Sequence, residues 1–402
     1  MARVTGSHLI CKALQLEGVR NIFALAGDHI LPVLDVMADL DFRIIDTRHE
    51  QAAVHMADGW SRITEQPGVC MYTTPGFANA IPGLTNAMHT EAPVISIAGC
   101  ADAHDLGRGA QQEIDQIAMA GPMCKGSFMV HDPRRIPEFI ARAMRLAFSG
   151  RRGPVHLTIP IDVQERMVEE DDVGFTAPDG YRPRAALLGD PELVRQAVAL
   201  LRQAQRPLVI AGSAAGYTLS GEAMQRFLEA TRLPLVTEEQ SRGLVPDDHP
   251  YVFGYFERGL NRAAAKLRDA DVVVLLGRKQ DFIIGFCRPP HVAANAKIIQ
   301  IDPSPLEIGR NRGVAVGISG DVSSVLEQMT REAANYSWED LPWLEELRAA
   351  RSAQAEWAED LARSQTPMHA LFVHKTLKTI LRADDCLVFD GGDFCHFGRS
   401  FL

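Results

Sequence analysis

Short apolar runs alternate with amphipathic stretches along residues 1 to 165, and this alternation restricts the fold more than any other feature of the sequence. Each run is almost continuously apolar, which is typical of a strand buried on both faces. The alternation therefore predicts an α/β domain in which helices cover both faces of a mostly parallel sheet. The predicted strands are Asn21 to Ala26, Phe42 to Asp46, Gly68 to Thr73, Pro93 to Ala98 and Pro154 to Ile159.

A second α/β pattern follows an acidic stretch that is rich in proline and glycine, and its order again predicts a doubly wound sheet. Beyond it we expect a helix from Trp338 to Gln365, a helix from Pro367 to Leu381 and a strand from Cys386 to Phe389. The predicted strand has little chain after it and is interpreted as the start of a third domain. The expected divisions are a first domain at 1–167, a linker at 168–190, a second domain at 191–335 and the beginning of a third at 336–402.

Composition excludes several classes of protein. A formal net charge of -10 argues against nucleic acid or an anionic membrane as the main partner. The N-terminal segment has helical spacing broken by charged residues, so it does not resemble a secretion signal, and no apolar run is long enough to span a bilayer. The 7 cysteines form no C-x-x-C pair, which indicates neither a disulfide framework nor a zinc site. We expect a cytoplasmic enzyme or binding protein without a metal site of its own.

Four places in the sequence could carry chemistry. Glu50 opens a predicted helix directly after a predicted strand; it either complements the helix dipole or takes part in catalysis. His29 lies in the loop after the first strand, on the side where such folds bind ligands. Gln111 and Gln112 lie in a polar stretch. The loop Gly212 to Gly216 follows a strand and precedes a helix, so its amides could face a phosphate.

The sequence resembles the thiamine-diphosphate enzymes of the acetolactate synthase superfamily, nearest to benzaldehyde lyase, 2-hydroxyacyl-CoA lyase and oxalyl-CoA decarboxylase. The resemblance rests on the order and spacing of several motifs over nearly the whole chain. It implies a pyrimidine-binding domain, a central domain and the beginning of a diphosphate-binding domain. The motifs are Arg48-His49-Glu50, Thr73-Thr74-Pro75-Gly76-Phe77-Ala78-Asn79, Gln111 to Gln116, Gly153 to Val163, Val245 to Pro250 and Ile299 to Pro303.

The resemblance also implies roles for particular residues. Glu50 would hydrogen-bond to the aminopyrimidine of the cofactor and promote loss of the thiazolium C2 proton. His29 would exchange a proton with a substrate oxygen. Gln111, rather than Gln112, is favoured as the polar side chain near the reacting carbon. Further cofactor contacts are expected from Thr74, Pro75, Gly76 and Asn79 in the first domain and from Gly212, Lys279, Asp302 and Asp321 in the second.

The resemblance implies thiamine diphosphate and Mg2+ as cofactors. The family holds Mg2+ with a Gly-Asp-Gly motif in the third domain, and no Gly-Asp-Gly occurs in these 402 residues. We therefore expect Mg2+ to be held by a domain outside them, supplied by further residues or by a separate chain. The central domain would bind the ADP part of coenzyme A, or FAD, or nothing. CoA-ester lyases typically carry an arginine after the strand's glycine, and the stretch Gly277-Arg278-Lys279-Gln280-Asp281 is interpreted as having its basic residues displaced or replaced.

The leading hypothesis is a lyase or carboligase that breaks or forms a carbon–carbon bond next to a carbonyl, acting on a small carbonyl or acyl-CoA substrate. The alternatives are an acetolactate synthase, a decarboxylase of 2-oxo acids or oxalyl-CoA, and a non-catalytic nucleotide-binding relic. In this superfamily the active site lies between subunits, so a homodimer or homotetramer is expected.

Overall fold

The computed structural model describes residues 3–182, 187–218, 220–238 and 240–402. Residues 183–186 of the predicted linker lie outside the described residues. The chain divides into two compact units, Met1–Ala185 and Ala186–Leu402.

The N-terminal unit is built on one sheet of six parallel strands in the order β3-β2-β4-β5-β7-β6, with β1 and β8 forming a separate antiparallel pair. The predicted linker begins inside β8. The elements are β1 Arg3–Thr5, α1 Gly6–Leu16, β2 Asn21–Ala24, α2 Leu31–Ala38, β3 Arg43–Asp46, α3 Glu50–Thr64, β4 Gly68–Tyr72, α4 Thr74–His89, β5 Val94–Cys100, α5 Gln116–Ala120, β6 Gly126–Met129, α6 Ile136–Phe148, β7 Val155–Pro160, α7 Ile161–Glu165 and β8 Met167–Glu169.

Both faces of this sheet are covered, because alternate residues of its central strands enter two different cores. Val69 and Met71 of β4 pack in one apolar cluster, which includes residues of α1 and α6. Cys70 and Tyr72 of the same strand pack in the other, which includes residues of α3 and α4. Strands buried on both faces explain the continuous apolar runs in the sequence and confirm the predicted α/β class.

The helices α3 and α4 are joined by a buried carboxylate. Asp58 is 1% exposed. Its Oδ1 accepts a hydrogen bond from Arg62 Nε at 2.6 Å, and its Oδ2 accepts one from Asn86 Nδ2 at 2.7 Å. Because Asn86 belongs to α4, this carboxylate fixes the packing of the two helices that begin at the sheet edge.

We expect Asp58→Ala to lower the free energy of unfolding of this unit by roughly 2–4 kcal/mol, because the mutation leaves Arg62 and Asn86 without their acceptor. Urea unfolding followed by circular dichroism measures the change. The exposed Asp35 in α2 provides the control, since Asp35→Ala should shift the same quantity by less than about 0.5 kcal/mol. Equal effects of the two substitutions would show that the buried contacts contribute nothing.

The second unit contains another sheet of six parallel strands, in the order β11-β10-β9-β12-β13-β14. Its strands also feed two cores, one on each face. The elements are α8 Pro191–Gln203, β9 Pro207–Ala211, α9 Ser213–Tyr217, α10 Gly221–Thr231, β10 Leu235–Thr237, β11 Val252–Tyr255, α11 Arg262–Ala265, β12 Val272–Leu276, β13 Lys297–Asp302, β14 Val316–Ser319, α12 Val322–Ala333, α13 Pro342–Leu361, α14 Ala370–Lys378 and α15 Asp393–Phe401.

Two sequence predictions of local structure are wrong. Residues 386–389, predicted as a strand, form no regular structure, and Val388 is 90% exposed. A strand needs a neighbour to receive its backbone hydrogen bonds, and this segment has none within the part of the chain that the structure describes. The sequence predicts a glycine-containing turn followed by a helix from Asn79 to Thr90. The helix begins at Thr74 instead, because Pro75 lies in its first turn, where a missing N–H costs nothing.

The longest helix, α13, has 20 residues and carries charges along its length. Among the described residues, no helix is both long and apolar enough to cross a membrane.

Candidate active site

The sequence-predicted residues of the first unit gather at the carboxyl edge of its sheet. His29 lies in the loop after β2, Glu50 begins the helix that follows β3, and Thr74 begins the helix that follows β4. The loop that contains Gln111 follows β5. The carboxyl ends of adjacent parallel strands are the usual ligand side of such folds, so the topology brings these side chains together.

Glu50 is nearly buried and has one oxygen available. Its side chain lies in the first turn of α3, which is capped by His49, whose Nδ1 accepts from the backbone N–H of Gln51. Oε2 of Glu50 accepts a hydrogen bond from Asn79 Nδ2 at 3.0 Å. Oε1 makes no hydrogen bond to any described residue, although Glu50 is only 9% exposed. The carboxyl is thus held at one oxygen and can meet a ligand at the other.

Gly76 lets the first turn of α4 approach this carboxyl. A Cβ on Gly76 would lie 2.6 Å from Glu50 Oε1 and 2.8 Å from Glu50 Cγ, both closer than side chains tolerate. Pro75 allows the helix to begin there. The predicted motif residues Pro75, Gly76 and Asn79 therefore shape the surroundings of Glu50 itself.

His29 is buried beside the same turn. It is 3% exposed, and its Nδ1 lies 3.2 Å from Thr74 Oγ1. Its carbonyl accepts a hydrogen bond from Gln164 Nε2 at 2.7 Å. Burial lowers the pKa of the His29 imidazole, although the carboxylates of Asp28 and Asp102 act in the opposite direction. The lowered pKa favours a neutral ring at neutral pH. Thr74 and Asn79, both on the first turns of α4, thus contact His29 and Glu50 respectively.

The two glutamines differ in their surroundings. Gln111 Nε2 donates to Asp28 Oδ2 at 3.4 Å, which places this side chain next to the His29 loop. Gln112 is exposed and has a left-handed backbone with φ of 55°. The loop is held by Glu113, whose carboxylate accepts from the backbone amides of Gly107, Gly109 and Ala110. The backbone contacts lower the pKa of Glu113.

We expect Gln111→Asn to lower kcat/KM by about tenfold, because the shorter side chain loses one hydrogen bond near His29. The matched change Gln112→Asn introduces asparagine, which tolerates the left-handed backbone. It should leave kcat/KM within twofold of wild type. Steady-state kinetics of both variants decide which glutamine acts. A larger loss in Gln112→Asn would reverse the assignment.

Three amides of the candidate nucleotide loop in the second unit have backbone partners inside the protein. The N–H of Gly212 donates to Leu276 O at 2.9 Å, that of Ala214 to Gly277 O at 3.2 Å and that of Ala215 to Gly212 O at 3.1 Å. These groups are satisfied inside the protein and cannot bind a phosphate as well. The α9 helix that follows has only five residues, too few for a useful dipole.

The charged candidates of this unit also have structural partners. Asp321 caps α12 by accepting from Ser324 N at 2.9 Å, and Asp302 is fully buried and accepts from Ser304 N at 2.9 Å. Arg278 is 2% exposed and donates to both carboxylate oxygens of Asp281. Lys279 is half-buried. Among the described residues, these loop amides and carboxylates already have partners inside the protein, and nucleotide binding by this unit stays a prediction.

Several buried polar residues near His29 were not predicted from the sequence. Gln116, His156 and Thr158 form a hydrogen-bonded group behind Thr74, and all are at most 2% exposed. Gln116 lies at the end of a stretch already recognised as a motif, which was the available signal. His156 and Thr158 lie in β7, inside the recognised motif Gly153 to Val163, but the motif gave no sign of their contacts with Ser96 and Gln116, which are distant in sequence.

Comparisons with known proteins agree with this geometry. The family described as "Thiamine pyrophosphate enzyme, N-terminal TPP binding domain" matches residues 4–119, and "Thiamine pyrophosphate enzyme, central domain" matches residues 194–329. Glu50, His29 and the start of α4 all lie within the first match.

Three curated relatives cover most of the chain. A probable acetolactate synthase large subunit of Methanocaldococcus jannaschii is 34% identical over 85% of this chain and 58% of its own length. Oxalyl-CoA decarboxylase of Escherichia coli is 31% identical over 99% of this chain and 70% of its own. Human 2-hydroxyacyl-CoA lyase 1 is 29% identical over 100% of this chain and 69% of its own. The chain thus spans 58 to 70% of these relatives, and it belongs to the thiamine pyrophosphate enzyme family.

Proposed function

We propose that the protein carrying this chain uses thiamine diphosphate to break or form a carbon–carbon bond next to a carbonyl, as a lyase or carboligase of 2-hydroxyacyl-CoA or benzoin-like compounds. The observation that supports it is the first part of α4, where Thr74 contacts His29 and Asn79 contacts Glu50. A carboxyl and a neutral imidazole are thereby held at one sheet edge. The first suits activation of the cofactor, and the second suits proton transfer with a substrate.

Glu50 fits the role that the family gives to such a carboxyl. Its Oε1 is open, and the rest of the side chain is fixed by Asn79 and by close packing on Gly76. Glu50 would hold the aminopyrimidine ring through this oxygen, with the backbone of Thr74 to Gly76 beside it. When bound, thiamine diphosphate supplies a nucleophilic carbon and accepts the electron pair of the bond that breaks.

His29 favours a lyase over a decarboxylase. Cleavage of a 2-hydroxy compound requires a base that takes the hydroxyl proton while the oxygen's electrons form a carbonyl. The electron pair of the broken carbon–carbon bond would pass to bound thiamine diphosphate. Loss of CO2 from a carboxylate requires no such base. A buried imidazole with a lowered pKa is present for this proton transfer.

The activity should therefore fall on the acidic side of a pH profile. Only neutral His29 accepts a proton, and burial places its pKa below the ordinary value of about 6.5. We expect kcat/KM to be constant above that pH and to decline as the pH falls through the lowered pKa. This decline of kcat/KM at low pH should persist in His104→Gln, which changes an exposed histidine, and should disappear in His29→Gln. A decline retained in His29→Gln would assign it to another group.

A decarboxylase or an acetolactate synthase is the second candidate, because relatives with those names share 31% and 34% identity with the chain.

We also propose that Mg2+ is held by a diphosphate-binding domain beyond these residues, and that the competent enzyme is a homodimer or homotetramer. A bound nucleotide in the second unit receives no support from the arrangement around Gly212.

A substrate panel separates these candidates. The native protein is incubated with thiamine diphosphate and Mg2+, and with a 2-hydroxyacyl-CoA, benzoin, oxalyl-CoA or pyruvate, and products are identified by mass spectrometry. We expect formyl-CoA and an aldehyde from the first substrate, or benzaldehyde from the second. Turnover of only oxalyl-CoA or only pyruvate would replace the lyase with the decarboxylase or the synthase. No turnover and no cofactor binding would favour the non-catalytic relic.

A further inference from the structure

The hydroxyl of Thr74 is buried next to the imidazole of His29. Thr74 Oγ1 is 3.2 Å from His29 Nδ1 and 3.0 Å from the carbonyl oxygen of Gly99, and it accepts from Gln116 Nε2 at 3.1 Å. Gln116 Nε2 also donates to Gly99 O at 3.1 Å. Thr74 is 1% exposed, so these three neighbours account for its hydroxyl.

A line of hydrogen bonds behind Gln116 fixes the orientation of its amide. Gln116 Oε1 accepts from Thr158 Oγ1 at 2.8 Å, and Thr158 Oγ1 lies 2.9 Å from His156 Nε2. His156 Nδ1 lies 2.9 Å from Ser96 Oγ, which is 2.5 Å from Tyr72 OH. Burial lowers the pKa of His156 to about 3, so this ring is neutral.

The carbonyl of Gly99 selects one direction for the protons along this line, because the Gln116 amide must turn its nitrogen toward Gly99 O. Tyr72 donates to Ser96, Ser96 donates to His156 Nδ1, and His156 donates from Nε2 to Thr158. Thr158 then donates to Gln116 Oε1, which leaves the amide nitrogen of Gln116 facing Thr74. A reversed amide would place its oxygen against the carbonyl of Gly99, and two acceptors would repel each other.

The carbonyl of Gly99 also determines which acceptor receives the hydroxyl proton of Thr74. If the hydroxyl donated to His29, its oxygen would lie 3.0 Å from Gly99 O with no hydrogen between two acceptors. If it donates to Gly99 O instead, it is left to accept from both Gln116 and His29 Nδ1, and every close contact is a hydrogen bond.

We propose that Thr74, oriented by Gln116 and Gly99, is a positioning residue that fixes His29 in the neutral tautomer protonated at Nδ1. Nε2 then carries the lone pair and forms no hydrogen bond to any described residue. This second nitrogen is the proton acceptor for a substrate hydroxyl. Its use in catalysis rests on the proposed lyase function, whereas the tautomer follows from the hydrogen bonds alone.

Magic-angle-spinning NMR of the native protein labelled with 13C,15N-histidine tests the tautomer, because ring carbon and nitrogen shifts separate the Nδ1–H and Nε2–H forms. The His29 signals are identified by their absence in His29→Gln. We expect the Nδ1–H form in wild type and in Thr74→Ser, which keeps the hydroxyl. Thr74→Val has nearly the same shape but no hydroxyl to accept from Nδ1–H. In this variant at least half of the His29 rings should be in the Nε2–H form.

A wild-type ring in the Nε2–H form would overturn the proposal without any variant being needed. An unchanged Nδ1–H form in folded Thr74→Val would also overturn it, since Thr74 would not be the cause. The spectra are recorded without substrate. A protein that cleaved no member of the substrate panel would therefore contradict the proposed function while leaving the tautomer result intact.

Discussion

Replacing Glu50 with glutamine is expected to lower kcat by roughly a thousandfold or more, the upper range for loss of an acid–base group. Glutamine keeps the size of the side chain and can still accept from Asn79 Nδ2, so the fold and cofactor affinity should be retained. It has no acidic proton to donate to the aminopyrimidine in the proposed activation step. The measurements are kcat with the preferred substrate of the panel and cofactor affinity by fluorescence quenching.

Glu138 offers a matched control for the other interpretation of Glu50. Both glutamates lie in the first turn of a helix, where a negative charge complements the helix dipole, but Glu138 is on the exposed face of α6 and pairs with Arg135. If Glu50 serves only the dipole, the two Gln variants will have the same small effect on stability and none on kcat. Near-normal turnover in Glu50→Gln would rule out the catalytic role.

Gly76→Ala should lower kcat by about a hundredfold, because a methyl group 2.6 Å from Glu50 Oε1 and 2.8 Å from its Cγ must displace the carboxyl, and small misplacements cost this much. The backbone at Gly76 is helical, so alanine itself is not strained there. The change is measured as kcat together with the melting temperature.

Gly59 in α3 provides the control for glycine replacement in the same helix as Glu50. A Cβ at Gly59 meets nothing within 4 Å, so Gly59→Ala should retain kcat and stabilise the protein by about 0.5–1 kcal/mol. An active Gly76→Ala enzyme, with kcat within twofold of wild type, would mean that the position of the Glu50 carboxyl is not critical.

Local sequence patterns predicted the parallel sheets and the elements that place Glu50. Helix α3, Glu50–Thr64, begins at Glu50 as predicted, because the helical period and a capping residue act within a few positions. The superfamily was likewise confirmed, since several motifs kept their spacing. The start of α4 was misplaced, because Pro75 and Gly76 are common both in turns and in the first turn of a helix.

Contacts between distant residues could not be predicted in the same way. Gln116 contacts Thr74 and Thr158, each 42 positions away, and neither pair leaves a periodic signal in the sequence. The amides of the loop after β9 were expected to face a phosphate, but neighbouring backbone carbonyls of β12 and its following glycine accept two of them. Such competition between partners is decided by tertiary packing.

The most direct test of the account is the exchange rate of the C2 proton of thiamine diphosphate bound to the native protein, measured by quenching in D2O and proton NMR. The wild-type enzyme should exchange this proton faster than the free cofactor. Glu50→Gln should slow the exchange by about a thousandfold at equal cofactor occupancy. Equal exchange rates in the two proteins would contradict the role of Glu50 on which the proposed function depends.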